Sequence, residues 1–65
     1  MPAAPTGSGD IFVEFIVQGA AVKVTAIDSK TGVEASIVGP ANAPRPALQA
    51  AAVRKLNYVL KQKAT

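Results

Sequence analysis

The chain contains neither cysteine nor histidine. Disulfides, thiolate–zinc sites and imidazole–metal sites are therefore excluded, and the side chain most used for proton transfer in enzymes is missing. A chain without cysteine fits a reducing compartment, and the expected location is cytoplasmic. Aromatic residues are few: two phenylalanines, one tyrosine and no tryptophan. Acids are also few, four Asp and Glu against seven Lys and Arg, for a net charge of +3. Charge of that size favours solubility and a general attraction for anions. No apolar run approaches the roughly 18 residues that a membrane-spanning helix needs. Met1 to Asp10 has neither the basic nor the apolar region of a secretory signal.

What is present is a valine- and isoleucine-rich chain of 65 residues, with only three leucines. Branching at Cβ suits a pleated sheet better than a helix. A domain this small has a marginal core. With disulfides and metals excluded, tight packing or self-association must supply its stability. Residues 1–10 are rich in Pro, Ala, Gly, Ser and Thr, and are expected to form a disordered tail.

From Ile11 to Gln18 apolar residues alternate with period two, and Ile11, Val13, Phe15 and Val17 make one wholly apolar face. The turn is either Gln18-Gly19 or Gly19-Ala20, with the same side-chain faces in both registers. Ala21 to Asp28 is a second strand. With Gln18-Gly19 as the loop, Phe15 meets Val22, Val13 meets Val24, and Glu14 pairs with Lys23 across the hairpin. Asp28-Ser29-Lys30-Thr31-Gly32 is a turn in which Asp28 accepts backbone hydrogen bonds and Gly32 takes the left-handed position. Val33 to Val38 is a third strand, with Ala26 opposite Ala35 and Val24 opposite Ile37; Gly39-Pro40 ends the sheet. A helix starts near Pro44 to Pro46, where proline costs no hydrogen bond, and runs to about Gln62. Its apolar residues Leu48, Ala52, Val53, Leu56, Val59 and Leu60 share an arc of about 140°.

The fold expected is α+β, a three-stranded antiparallel meander with one C-terminal helix packed on one face (β-β-β-α, two layers). The domain spans residues 11–62, and 63–65 fray. Its core is Ile11, Val13, Phe15, Val22, Val24, Ala26, Val33 and Ile37 against Leu48, Ala52, Leu56, Val59 and Leu60.

The run Val22-Lys23-Val24-Thr25-Ala26-Ile27-Asp28, then Thr31-Gly32, Ser36-Ile37-Val38-Gly39-Pro40 and Leu56-Asn57-Tyr58-Val59-Leu60, resembles a domain-of-unknown-function family of short alphaproteobacterial proteins. The resemblance covers roughly Val13 to Lys61. It implies a bacterial, cytoplasmic protein and transfers no activity and no site residue. Members of that family tend to carry a small hydroxyl residue at the helix start, where this chain has Pro44.

Catalysis finds little support. Asp10 adjoins the tail and Asp28 is used by its turn. Glu14 and Glu34 leave the sheet from its two outer strands, about 10 Å apart, and read as solvated surface acids. Serine, threonine and lysine nucleophiles need an activating partner that the sequence does not offer. The glycines match neither a P-loop nor a dinucleotide fingerprint. The chain is therefore expected not to be an enzyme, and no cofactor or metal is expected.

Two surfaces remain. Arg45, Arg54, Lys55, Lys61 and Lys63 lie in or beside the helix with no acid among them, a candidate surface for nucleic acid or another anion. Lys61 and Lys63 also have an ordinary role, complementing the helix macrodipole. On the sheet face away from the helix, Phe12, Ile16, Ile27 and Val38 form a candidate protein interface. The function expected is a non-catalytic interaction or assembly module. Its partner would be a second copy through the open face or another protein, and weak, sequence-tolerant nucleic-acid binding is the alternative.

Overall fold

The structure is a computed structural model and describes residues 5–6 and 11–64. Four strands precede one helix: β1 Pro5–Thr6, β2 Ile11–Gln18, β3 Ala21–Asp28, β4 Glu34–Pro40 and α1 Arg45–Ala64. The sheet order is β1-β2-β3-β4 and every pairing is antiparallel. The three long strands are the expected meander, and α1 packs across one of its faces.

The first hairpin takes the second of its two registers. Gln18 pairs with Ala21, so Gly19-Ala20 is the loop, and Gly19 has φ 63°. A positive φ at the first loop position alone is the signature of a type II′ turn. Phe15 then meets Val24, Val13 meets Ala26, Glu14 meets Thr25 and Lys23 meets Ile16. The expected Glu14–Lys23 pair is not formed. The slip is two residues, so parity is preserved and each side chain keeps its face.

The second connection follows expectation. Asp28 N donates to Val33 O at 2.9 Å, and Ala26 pairs with Ala35 and Val24 with Ile37. Within the turn, Lys30 N and Thr31 Oγ1 donate to the two carboxylate oxygens of Asp28, at 3.3 and 2.8 Å. Gly32 N donates to Asp28 O, and Val33 N donates to Thr31 Oγ1. Gly32 adopts φ 75°. Asp28 is buried, and its oxygens are used inside its own turn.

Four boundaries differ from expectation. β4 begins at Glu34, one residue after the expected Val33, which remains in the turn closed by Asp28. β4 continues through Gly39 and Pro40, which pair with Val22 and Ala21. Proline is tolerated there because β4 is an edge strand and the nitrogen of Pro40 faces outward. The helix extends through Lys63 and Ala64, its last turn favoured by Lys61 and Lys63 at the negative end of the dipole. Within the expected tail, Pro5 and Thr6 form a strand opposite Phe12 and Ile11, because the edge of β2 offers unpaired backbone groups. The remaining residues of that tail, and Thr65, lie outside the described residues.

At the helix start Pro44 O accepts from Ala47 N and Leu48 N at 3.1 and 3.2 Å. Prolines at 44 and 46 remove two donors that would otherwise need a cap. A proline pair thus does part of the work that a hydroxyl N-cap does elsewhere.

Val13, Val22, Val24, Ala26 and Ala35 from the sheet meet Leu48, Ala52 and Leu56 from the helix to form the buried core. Ile11, Phe15, Val33, Ile37, Ala43, Val53, Val59 and Leu60 pack around it. The helix lies mainly on β4 and β3 and scarcely reaches β2. It comes close at Gly39, where a Cβ would stand 2.7 Å from Leu48 Cδ2.

Two substitutions test this account. Asp28→Ala strands a buried turn and should lower the unfolding free energy by about 2 kcal/mol in urea denaturation. Gly39→Ala should cost about 1 kcal/mol or more through overpacking against Leu48, and Gly39→Val should cost more than Gly39→Ala.

Candidate functional site

Side-chain parity divides the sheet. Residues 13, 15, 17, 22, 24, 26, 35 and 37 face the helix. Residues 12, 14, 16, 23, 25, 27, 34, 36 and 38 face away from it. The register arranges the outward residues in rows across the strands. Phe12 and Ile27 are directly opposite one another, with Glu34 beyond them. Glu14, Thr25 and Ser36 form the next row, and Ile16, Lys23 and Val38 the one after.

The four apolar candidates therefore fall into two groups. Phe12 and Ile27 make a half-buried cross-strand pair. Ile16 and Val38, 46% and 69% exposed, flank Lys23 about 13 Å further along the strands. Between them, Thr25 Oγ1 and Ser36 Oγ share a 2.8 Å hydrogen bond, and Thr25 is buried at the centre of the face. Glu14 and Glu34 stand in different rows on different outer strands, about 12 Å apart at the backbone. Among the described residues, no three carboxylates cluster to hold a metal.

The five cationic candidates do not share one face. Arg45 sits in the first turn and places its guanidinium 4.8 Å from the centroid of the Phe15 ring. A cation at the positive end of a helix is disfavoured by the macrodipole, and stacking on an aromatic ring offsets that cost. Lys55 leans over β4, where its Nζ donates to Ser36 O at 2.7 Å. Arg54 and Lys61 project from the side of the helix opposite the core, with the exposed Tyr58 between them. Lys63 lies in the last turn, about 27 Å along the helix axis from Arg45.

Sequence reasoning missed one feature. Val17 belongs by parity to the helix-facing side, yet it is 59% exposed. The helix that should cover it lies over β3 and β4 instead. No local pattern signals this, because period-two alternation identifies a face and not which element covers it.

A family model described as a domain of unknown function (DUF6898) matches residues 8–63. No curated protein and no solved structure matches the chain. Among the described residues, no helix is long and apolar enough to cross a membrane.

The stacking of Arg45 on Phe15 is open to direct measurement. Arg45→Ala should lower the unfolding free energy by about 0.5–1 kcal/mol, and Arg45→Lys should recover only part of it, as read from urea midpoints.

Proposed function

The chain belongs to the DUF6898 family, a domain of unknown function, and from its own surfaces we propose that it is a non-catalytic interaction or assembly module. Family membership contributes no activity to this reading. The observation that carries it is the uncovered apolar surface. One helix shields one side of the sheet, and Phe12, Ile16, Ile27 and Val38 occupy the other, with Ile16 and Val38 well exposed. The exposed pair Ile16 and Val38 lies on the face that also carries the half-buried Phe12 and Ile27, and apolar surface left uncovered on a small domain often marks an interface. The small core adds a motive, since association buries further apolar area. The partner proposed is a second copy of the chain, or another protein with a complementary apolar face. The setting proposed is a bacterial cytoplasm, on the motif resemblance to alphaproteobacterial proteins and the absence of cysteine.

A second reading, sequence-tolerant nucleic-acid binding, is favoured by one arrangement. Exposed Tyr58 lies between Arg54 and Lys61, an aromatic flanked by cations of the kind that stacks a base beside a phosphate. Against it, Arg45 and Lys55 are already engaged within the fold, which leaves few cations for a continuous phosphate track.

Sedimentation and salt titration separate the two readings. The double variant Phe12→Thr, Ile16→Thr should lose any association that the unaltered chain shows, and an unchanged mass in solution would sink the assembly reading. Binding of a fluorescent single-stranded oligonucleotide should be weak in 50 mM salt and absent near physiological ionic strength. Tight binding that Arg54→Ala, Lys61→Ala abolishes would shift the assignment to nucleic acid.

A further inference from the structure

The fold sorts the charges of the chain by layer. α1 contains no acid. Its side away from the core carries Arg54 and Lys61 with Tyr58 between them, and all three are exposed. The open face of the sheet carries Glu14, Glu34 and Lys23, so carboxylates outnumber ammoniums there. Asp28, the other acid among the described residues, is enclosed in its own turn. One outer surface of the domain is therefore cationic, and the opposite one is apolar with an anionic excess.

The two surfaces also match in dimension. Arg54 and Lys61 are two helical turns apart, about 10 Å along the axis, and so share one side of α1. Glu14 and Glu34 stand about 12 Å apart at the backbone. The line joining the two carboxylates crosses β3 between Thr25 and Ile27, as the line joining the two cations passes Tyr58. Lys23 lies off that line, in the row of Ile16 and Val38.

We infer that the open face of one copy receives the outer side of α1 of a second copy, head to tail, with Arg54 and Lys61 on Glu14 and Glu34, and Tyr58 between them on Ile27 and Thr25. The inference rests on the assembly reading and names its partner and its arrangement. Each surface supplies what the other lacks. The cations meet the carboxylates, and the Tyr58 ring adds apolar area to Ile27 and Phe12 while its hydroxyl stays beside the Thr25–Ser36 pair. A symmetric contact fits less well. Turning two open faces towards each other gathers the carboxylates of both copies into one layer, with only the Lys23 of each to offset them, and opposed like charges are costly.

The contact repeats the packing that the domain already uses, since a helix then covers each side of the sheet and the layers alternate. Its two sides are different surfaces, so assembly does not stop at two copies. One helix on three strands buries less than the ~800 Å² per partner of a standard interface. The assembly therefore grows with concentration, and salt that screens the ion pairs weakens it.

Sedimentation equilibrium of the full chain, from micromolar to millimolar concentration and free of nucleic acid, tests the inference. The helix variant Arg54→Ala, Tyr58→Ala, Lys61→Ala replaces exposed side chains with the best helix former, and should weaken self-association by about a hundredfold. The face variant Glu14→Lys, Glu34→Lys should do the same. Mixed in equal amounts, the two should form a heterodimer that stops at two, because the intact face of the first fits the intact helix of the second and no other pair fits. Both variants keep a net positive charge, so overall attraction cannot produce that result. A mixture that stays monomeric overturns the inference. A helix variant that assembles like the wild type shows that the open faces pair with each other, and then the head-to-tail inference falls while the assembly reading stands. A wild-type chain that stays monomeric throughout overturns both. A second measurement serves if the face variant fails to fold. Added to the wild-type chain, the helix variant should cap growing assemblies and lower their mean mass, and an unchanged mean mass would refute head-to-tail contact.

Discussion

One helix cannot cover three long strands. A helix with its side chains is about 10 Å across, whereas three strands spaced about 4.8 Å apart make a layer about 14 Å wide. The position that the helix takes on that layer therefore decides which residues are core and which are surface. Here it is held over β4 and β3 by Leu48 against Gly39 and by the row Leu48, Ala52 and Leu56 against Val24, Ala26 and Ala35. Small residues at 26, 35, 39 and 52 allow close approach along this line. The consequence on the other side is the exposure of Val17 and the half-covered ring of Phe15.

That offset gives unequal weight to the two ends of the layer. At the β4 end the helix supplies Lys55 to an edge carbonyl and the strand ends in proline. At the β2 end it supplies only Arg45, whose guanidinium lies on Phe15 rather than on the edge. Among the described residues, Pro5 and Thr6 of β1 pair with Phe12 and Ile11 at the beginning of β2. The cations that look like a single basic helix in one dimension are distributed by the fold to three tasks: a ring contact, an edge contact and the terminal turn. Only Arg54 and Lys61, around Tyr58, remain together and exposed.

Much of the architecture was legible because it rests on periodicity. Alternation over Ile11–Gln18 and Ala21–Asp28 identified strands and faces, and Asp28 with Gly32 marked a turn whose hydrogen bonds form as anticipated. The first register was harder. Gln18-Gly19 and Gly19-Ala20 both satisfy parity, and the apparent charge match of Glu14 with Lys23 favoured the register that does not form. A surface ion pair contributes too little to overrule turn geometry, and Gly19 at the first loop position, where φ must be positive, prevailed. The continuation of β4 through Pro40 was hidden for a similar reason. Proline reads as a strand stop until its nitrogen is known to face an open edge.

The sequence by itself determined the class of fold, the identity of the apolar faces and the absence of thiol and imidazole chemistry. These follow from residue types and their spacing, which are local. Tertiary structure alone decided which apolar residues are covered, because that depends on where one helix rests on a layer wider than itself. It also decided that Phe12 and Ile27 stand apart from Ile16 and Val38, that Lys55 reaches an edge carbonyl of β4 and that Val17 is left exposed beside the helix. Each of these is a relation between residues distant in the chain, set by register and by the line of closest approach, and no local pattern encodes it.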